Sequence, residues 1–276
     1  MEQEKKQSLV NISINDRVCF IEMQNPDRLN CLSEAMCNDI ARAIDEGYRK
    51  ECVAIVIKAQ CRHGVWSAGH DIRELPQDGR DPLAYDVPME RMLHKIQEVA
   101  IPVIACVEGS AWGGACDLCL SCDMIVSTDD STFAITPAKI GIPYNASGIM
   151  HFINQLGLNK AREMFFLATP IEATDALNVG LINRVAPPEE LNNMLEEHFL
   201  APLRRNSVLS ISAIKRQFRI LSKSSAVIPS ESFERINAYR TRVYQGADYR
   251  EGINAFLEKR QPQFSGKASD LDTTKF

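Results

Sequence analysis

The sequence lacks long apolar runs. No stretch of its 276 residues approaches the roughly 20 apolar residues that a membrane-spanning helix needs. The N-terminal segment MEQEKKQSLV is charged and mixed in sign and has no apolar centre, so we expect neither a signal peptide nor a transit peptide. These absences argue against a membrane partner and predict a cytoplasmic protein.

An excess of positive charge is also missing. The chain has 31 Lys and Arg against 36 Asp and Glu, a formal net charge of −5, so we expect no nucleic-acid partner held by bulk charge. Internal repeats and low-complexity segments are not visible either. With 45% hydrophobic and 24% charged residues, the composition is typical of a globular protein with a sizeable core.

The cysteines do not complete a metal site. There are nine, an odd number, and without a signal sequence we expect reduced thiols. Cys116, Cys119 and Cys122 have the C-x-x-C-x-x-C spacing of an iron–sulfur protein, but no later cysteine can supply a fourth thiolate. No second Cys or His pair follows at zinc-ligand spacing. We predict no metal and interpret the three as buried residues of one helix, with an iron–sulfur electron carrier as the alternative.

What the sequence does contain is an alternation of strands and helices. Apolar or alternating runs predict a β-hairpin at 9–23 and buried strands at 52–60 and 101–109. Helical periodicity fills 34–50 and 86–100. From about residue 146 the pattern is mostly helical. This order predicts an α/β core followed by a helical region that buries one face against a partner subunit.

Two turns share one design, in which a buried strand leads through small residues into a helix. They lie in VAIVIKAQCRHGVWSAGHDIREL and IPVIACVEGSAWGGACDLCLSC. Each can present a free backbone N–H, and two such groups aimed at one point form an oxyanion hole. The Gly113-Gly114 pair also precedes a helix, whose N-terminus favours an anion. Spacing alone leaves open that these glycines only shape turns.

Three segments together resemble the crotonase superfamily, the enoyl-CoA hydratase/isomerase fold. They are SAGHDI, PVIACVEGSAWGG and AFLEKRQPQF, and the resemblance covers residues 9–265. The polar tail at 266–276 is expected to be disordered. The resemblance implies a crotonase-like spiral of ββα units over 1–200 and a C-terminal helical trimerisation region over 201–265. The assembly it implies is a homotrimer or a dimer of trimers. It further implies that the amides of His70 and Gly114 stabilise the enolate of a coenzyme A thioester, with no cofactor beyond that substrate.

Longer matches resemble a decarboxylase subgroup of that family. They are WSAGHDIRELPQDGRDPLAYDVP, EGSAWGGA, TPAKIGIPYNASGI and EGINAFLEKRQPQF. Hydratases of the family use two glutamates, and here Asp117 and Ala138 stand at those positions, which disfavours water addition. The resemblance implies loss of CO2 from a methylmalonyl or malonyl thioester. Tyr144 is the candidate to orient the carboxylate or the carbonyl through a hydroxyl hydrogen bond, and a tyrosine that only packs in the core is the alternative. A hydratase or isomerase that uses Asp117, and a non-catalytic acyl-CoA-binding protein, are the alternatives.

The resemblance also assigns roles to the remaining site residues. Asp117 would help return a proton to the enolate carbon, or serve only as a polar group near the start of its helix. The implied acyl-pocket residues are Trp112, Gly113 and Ala138. The implied coenzyme A contacts are Leu29 and Cys31 along the adenosine with Arg28 near phosphate, Ala68, Asp71 and Ile72 at the adenine, and Phe256 and Lys259 over the nucleotide. The charges of Arg28 and Lys259 are equally well explained as solvated surface groups.

Overall fold

A computed structural model describes residues 8–76, 78, 81, 87–225 and 229–266 of the chain. Its larger sheet has the strand order β1-β2-β3-β5-β7-β10. These strands are β1 (Val10–Asn15), β2 (Val18–Met23), β3 (Ala54–Ala59), β5 (Val103–Val107), β7 (Met124–Thr128) and β10 (Arg184–Ala186). All neighbours run parallel except β1 and β2, which form the predicted antiparallel hairpin.

The smaller sheet has the order β4-β6-β8-β9. Its strands are β4 (Val65–Ser67), β6 (Ser110–Trp112), β8 (Thr132–Ala134) and β9 (Ile171–Glu172). The helices among these strands are α1 (Glu34–Arg49), α2 (Pro88–Glu98), α3 (Gly114–Ser121), α4 (Ala146–Leu167) and α5 (Ala173–Asn178). The chain repeats one pattern, a strand in the large sheet, a strand in the small sheet and then a helix: β3-β4-α2, β5-β6-α3 and β7-β8-α4. The predicted ββα units are therefore confirmed.

The continuous apolar strands are explained by burial on both faces of the large sheet. Ile55 and Ile57 of β3 pack into the main core, which includes residues of α1, α2 and α3. Val56, between them, points to the opposite face and packs with Leu191 and Phe199. Because successive side chains of a strand alternate between faces, two covered faces require an unbroken apolar run.

The C-terminal part is helical, as the sequence predicts. Its helices are α6 (Leu191–Leu195), α7 (Ala201–Arg205), α8 (Val208–Ser225), α9 (Ser230–Gln245) and α10 (Ala247–Leu257). Large apolar side chains of α8 are exposed, including Leu209, Phe218 and Leu221. The predicted division of the chain at residues 200 and 201 stays a prediction, and residues 267–276 of the predicted tail lie outside the described residues. Within the described ranges, no helix combines the length and apolarity needed to cross a membrane.

Candidate active site

The two turns that the sequence singled out lie side by side. The first follows β4 and carries Gly69 and His70, and the second follows β6 and carries Gly113 and Gly114. Gly69 has a φ of +83°, and a Cβ there would lie 2.4 Å from the carbonyl oxygen of Trp112 and 2.8 Å from the nitrogen of Gly114. Only glycine permits this approach of one turn to the other.

The backbone amides of His70 and Gly114 are consequently neighbours. A Cβ on Gly114 would lie 3.3 Å from the nitrogen of His70. Gly114 is the first residue of α3, so its N–H has no acceptor within the helix. Between described residues, no backbone hydrogen bond uses either N–H. Two free amides, one of them at a helix N-terminus, suit an oxygen atom that gains negative charge.

Both residues line a cavity of about 60 Å³. Its wall is largely apolar, with Ile72, Leu75, Met89, Ile140 and Ile142 among the lining side chains. The lining residues with polar side chains are His70, Thr136 and Tyr144. None of the described residues lining this cavity is an acid. The predicted residues Ala68 and Gly113 also line it.

Tyr144 is held in the cavity wall by the start of α4. Asn145 caps this helix, because its Oδ1 accepts a hydrogen bond from the Gly148 amide at 2.7 Å. A Cβ on Gly148 would lie 2.2 Å from Cε1 of Tyr144, so the glycine makes room for the ring. The ring also packs on Phe165, with 5.3 Å between centroids. The sequence Y-N-x-x-G thus fixes the tyrosine locally.

Asp117 contacts Tyr144 and His151. The Tyr144 hydroxyl donates a hydrogen bond to Oδ2 of Asp117 at 2.7 Å, and Nδ1 of His151 lies 2.9 Å from Oδ1. The Asp117 side chain is only 1% exposed, and it is not among the residues lining the 60 Å³ cavity. Burial of His151 opposes its protonation, but the hydrogen bond and charge of Asp117 outweigh burial and raise the pKa of His151 above the usual 6.5.

Glu90 is a buried acid that the sequence reasoning missed. Its Oε1 accepts a hydrogen bond from Nδ2 of Asn145 at 2.5 Å. Burial, together with the nearby charge of Asp117, raises the pKa of Glu90 to about 7. The sequence contains a signal of its burial. Glu90 precedes Leu93 by three positions on α2, so the two side chains lie on the same, apolar face of the helix. Nothing local marks His151, whose partner lies on another helix.

Burial favours the neutral form of the His70 imidazole. Burial lowers its pKa, and the Nδ1 atom lies 3.1 Å from the carbonyl oxygen of Asp71. Because a carbonyl only accepts, Nδ1 carries the ring proton. Asp71 is buried as well, which raises its pKa, but hydrogen bonds from Arg73 outweigh burial and lower it. The thiol of Cys31 donates to the same carboxylate at 3.4 Å.

Asn30 anchors the predicted adenosine loop beside the His70 turn. Its side chain is fully buried, and Nδ2 donates to the carbonyl oxygens of Gln60 at 3.0 Å and Trp66 at 3.1 Å. The predicted coenzyme A contacts of this loop are the exposed Arg28, the half-buried Leu29 and the buried Cys31. No local pattern singles out Asn30, because its two acceptors lie 30 and 36 residues further along the chain.

Trp112, Ala138, Phe256 and Lys259 do not line the 60 Å³ cavity. The Trp112 ring is partly exposed and donates from Nε1 to Thr132 Oγ1 at 3.0 Å. Ala138 lines a neighbouring apolar pocket of about 430 Å³ between α4 and α9. Phe256 and Lys259 are exposed at the end of α10. Their predicted contacts with the acyl group or the nucleotide stay predictions.

The prediction that the three closely spaced cysteines are buried residues of one helix is confirmed for Cys116 and Cys119, whereas Cys122 is partly buried and follows the helix. Cys116 and Cys119 are fully buried on α3, and Cys122 caps its C-terminus. Burial raises the pKa of all three thiols far above the ordinary value. Among the described residues, no three His, Cys, Asp or Glu side chains converge as a metal site.

Comparison with known proteins agrees with the fold. Residues 13–267 match the family model described as enoyl-CoA hydratase/isomerase. The chain is 40% identical over 257 residues to the methylmalonyl-CoA decarboxylase of Escherichia coli (strain K12), covering 93% of this chain and 98% of that protein. It is also similar to the solved structure of a methylmalonyl-CoA decarboxylase in complex with 2-nitronate-propionyl-CoA, with a TM-score of 0.90 and 40% identity over 94% of this chain and 99% of that one. The solved structure of a methylmalonyl-CoA decarboxylase complexed with 2S-carboxypropyl CoA is similar too, with a TM-score of 0.91 and 39% identity. The match covers 95% of this chain and 100% of that one.

Proposed function

The chain belongs to the enoyl-CoA hydratase/isomerase family, and within it we propose that the protein is a carboxy-lyase that converts methylmalonyl-CoA to propionyl-CoA and CO2, or acts on malonyl-CoA in the same way. One observation carries the proposal: the free amides of His70 and Gly114 meet at a cavity whose described lining contains no acid. The 40% identity to a protein named methylmalonyl-CoA decarboxylase supports it.

The paired amides supply what decarboxylation needs. When the bond from the α-carbon to the carboxylate breaks, its electron pair moves into the thioester and forms an enolate, so no base is required. The negative charge collects on the thioester oxygen, where the amides of His70 and Gly114 and the N-terminus of α3 would stabilise it. Removing one such donor from an enzyme typically costs about 3–4 kcal/mol of transition-state stabilisation.

The cavity is poorly equipped for hydration. Addition of water to a double bond requires a positioned base and a positioned acid. Ala138 cannot transfer a proton and lines the larger pocket, while the Asp117 carboxylate is engaged by Tyr144 and His151. An apolar wall also disfavours a localised carboxylate relative to the delocalised enolate, which assists loss of CO2. The small volume, about 60 Å³, suits a short acyl group.

Coenzyme A would bind along the turn that follows β4. We assign the adenosine to the loop of Arg28, Leu29 and Cys31, which Asn30 anchors beside this turn. Ala68, Asp71 and Ile72 would edge the adenine, and Phe256 and Lys259 would close over the nucleotide. The exposed apolar residues of α8 support burial of that helix against further copies of the chain, as a homotrimer or a dimer of trimers.

Turnover of a thioester panel tests the proposal. The full-length protein is incubated separately with methylmalonyl-CoA, malonyl-CoA and crotonyl-CoA, and CO2, propionyl-CoA, acetyl-CoA and hydrated product are quantified. We expect CO2 and propionyl-CoA from methylmalonyl-CoA in equal amounts and no hydration of crotonyl-CoA. Hydration without CO2 release would support an enzyme that uses Asp117. Binding of all three thioesters without turnover would support a non-catalytic acyl-CoA-binding protein.

A further inference from the structure

Tyr144, Asp117 and His151 form an unbroken hydrogen-bonded chain that leads away from the cavity wall. Tyr144 lines the cavity and donates to Oδ2 of Asp117 at 2.7 Å, and Oδ1 lies 2.9 Å from Nδ1 of His151. The exposed fraction rises from 1% for the Asp117 side chain to 24% for that of His151. We infer that His151 is the solvent-side end of a proton relay that runs through Asp117 and Tyr144 to the α-carbon of the thioester. The inference rests on the proposed function, because that reaction leaves an α-carbon that must gain one proton.

The charges around His151 suit a group that stores this proton. From α3 the Asp117 carboxylate faces the ring, and from α2 the charge of Glu90 acts on it. From α9, the positive charge of Arg240 favours the ionised form of Glu90. Lys139, in the 3-10 helix Pro137–Ile140, is exposed. The two acids favour the imidazolium, and the hydrogen bond to Asp117 raises the pKa of His151 against the effect of burial. The ring therefore stays protonated to a higher pH than an exposed histidine does.

Gln97 allows both protonation states of His151. Its amide nitrogen lies 3.0 Å from Nε2 of the ring and also donates to Ser121 Oγ at 3.4 Å. In this orientation Nε2 accepts, and the ring is neutral with its proton on Nδ1. If the amide turns by half a rotation, its carbonyl oxygen accepts from a protonated Nε2 instead. The contact is thus satisfied before and after the ring loses a proton.

The relay can be arranged in two ways with the same number of protons. In the first, His151 is an imidazolium, Asp117 is ionised, and the Tyr144 hydroxyl donates to it. In the second, the Nδ1 proton has moved to Oδ1 of Asp117, the carboxyl group has turned about its Cβ–Cγ bond, and this Oδ1–H now faces Tyr144 and donates to its hydroxyl oxygen. The tyrosine proton is then free to point into the cavity, where it can donate to the substrate.

Proton delivery starts from this second arrangement. Loss of CO2 leaves the electron pair of the broken bond in the enolate, and the α-carbon takes the proton of the Tyr144 hydroxyl. Tyr144 takes the proton of Asp117, which ends as a carboxylate, and His151 ends neutral. Solvent then returns one proton to His151. His151 touches no reacting atom, so it is a positioning residue and proton store that acts through the other two.

Exchange of the α-hydrogen of propionyl-CoA isolates the relay from C–C cleavage. By microscopic reversibility, the groups that deliver a proton to the enolate also remove one from the product. The full-length protein is incubated with propionyl-CoA in D2O, and deuterium incorporation is followed by mass spectrometry over a range of pH. We expect incorporation of one deuterium, because the relay reaches one face. The rate should rise as pH rises through the pKa of His151, since the neutral ring must accept the proton.

The variant His151→Asn separates proton transfer from hydrogen bonding. The asparagine amide can place an N–H where Nδ1 stood and keep the contact with Asp117, but it cannot titrate. We expect exchange to slow by about 100-fold, the low end of what positioned proton transfer contributes, and to lose its pH dependence. His63→Asn, at an exposed histidine before β4, should exchange like the wild type. If His151→Asn does not fold, the wild-type pH profile carries the test, because an exchange rate that does not rise through the pKa of His151 would overturn the relay.

The outcomes separate this inference from the proposed function. A His151→Asn variant with the rate and pH profile of the wild type would overturn the relay, because a hydrogen bond alone would then suffice. Release of CO2 from methylmalonyl-CoA by a wild-type protein that does not exchange propionyl-CoA would overturn the relay and leave the proposed function standing. Exchange that depends on His151, without any CO2 release from methylmalonyl-CoA, would overturn the proposed function and leave the relay standing. A protein with neither activity would overturn both.

Discussion

Gly69 faces the amide of Gly114 so closely that a methyl group on Gly69 would lie 2.8 Å from the Gly114 nitrogen. The two residues belong to turns that follow different strands, β4 and β6, which pair in parallel. The parallel register brings both turns to the same edge of the small sheet, and the missing side chain lets them touch. The geometry of the two free amides therefore depends on Gly69, although the Gly69 amide itself donates to Ser67 Oγ and not into the cavity.

We expect Gly69→Ala to abolish most of the decarboxylase activity. Its Cβ would meet the Trp112 carbonyl oxygen and the Gly114 nitrogen, so the second turn must move and one amide donor is misplaced. The loss of kcat should reach about 100- to 1000-fold, the effect of removing one oxyanion-hole donor. Steady-state CO2 release measures it. Gly180→Ala is the control, because Gly180 has a φ of +79° but open space around its Cβ.

This control isolates contact from backbone strain. Both substitutions place alanine in the left-handed region, which costs about 1–2 kcal/mol of stability. Thermal unfolding should therefore show a loss of stability for Gly180→Ala as well as for Gly69→Ala, while the activity of Gly180→Ala stays at the wild-type level. If the two variants retain equal activity, the Gly69 contact does not shape the site.

The turns could be predicted from sequence because their signals are local. Small residues between a buried strand and a helix indicate a close approach of the backbone, and the structure has positive φ at Gly69 and Gly113. The contact of Tyr144 with Asp117 could not be predicted, because it joins residues 27 positions apart, one in the loop before α4 and the other on α3. The same holds for His151, because α3 and α4 must pack before its ring meets Asp117. The place of Glu90 beside the apolar stripe of α2 was a local signal of burial, but its contact with Asn145 was not predictable. Strands of two or three residues, such as β9, are too short to show periodicity.

We expect Tyr144→Phe to lower kcat for CO2 release from methylmalonyl-CoA by about 100-fold, the low end of the effect of a positioned acid. KM should change little, because the ring and its packing on Phe165 remain. Tyr249→Phe is the matched control. It also removes a buried hydroxyl, one that donates to the Pro76 carbonyl at 2.8 Å, but Tyr249 does not line the cavity. Equal kcat values for the two variants would contradict a role for the Tyr144 hydroxyl.

We expect Asn30→Asp to weaken the binding of coenzyme A thioesters more than it slows their turnover. Aspartate fits the left-handed backbone of this position, with φ of +47°, but cannot donate to the carbonyl oxygens of Gln60 and Trp66. Leaving these groups unpaired should cost about 1–3 kcal/mol and loosen the adenosine loop. KM should rise by about tenfold, which corresponds to about 1.4 kcal/mol.

The control for this variant is Asn11→Asp on the exposed side of β1, which adds the same negative charge. Steady-state kinetics with methylmalonyl-CoA compare the two proteins. A loss of kcat at unchanged KM in Asn30→Asp would show that the loop shapes the catalytic turn instead of holding the nucleotide.

Glu90 should make the folded protein less stable as pH rises. Its pKa is raised from 4.5 to about 7 in the folded state, first by burial and then by the charge of Asp117. The folded state therefore binds this proton more tightly than the unfolded state does. The resulting stabilisation is complete below about pH 4.5 and is lost as pH rises from there through about pH 7. A shift of this size corresponds to about 3 kcal/mol of unfolding free energy.

The substitution Glu90→Gln removes the titrating group and keeps an oxygen that can accept from Asn145 Nδ2. Between pH 5 and pH 8, roughly the window in which Glu90 titrates, the unfolding free energy of the variant should fall by about 2–3 kcal/mol less than that of the wild type. Denaturant unfolding at the two pH values measures this difference. Glu189→Gln, at an exposed glutamate, should follow the wild type. Parallel curves for wild type and Glu90→Gln would mean that Glu90 is already ionised in the folded protein at pH 5, and that the burial of its carboxylate is offset by partners such as Asn145 and His151.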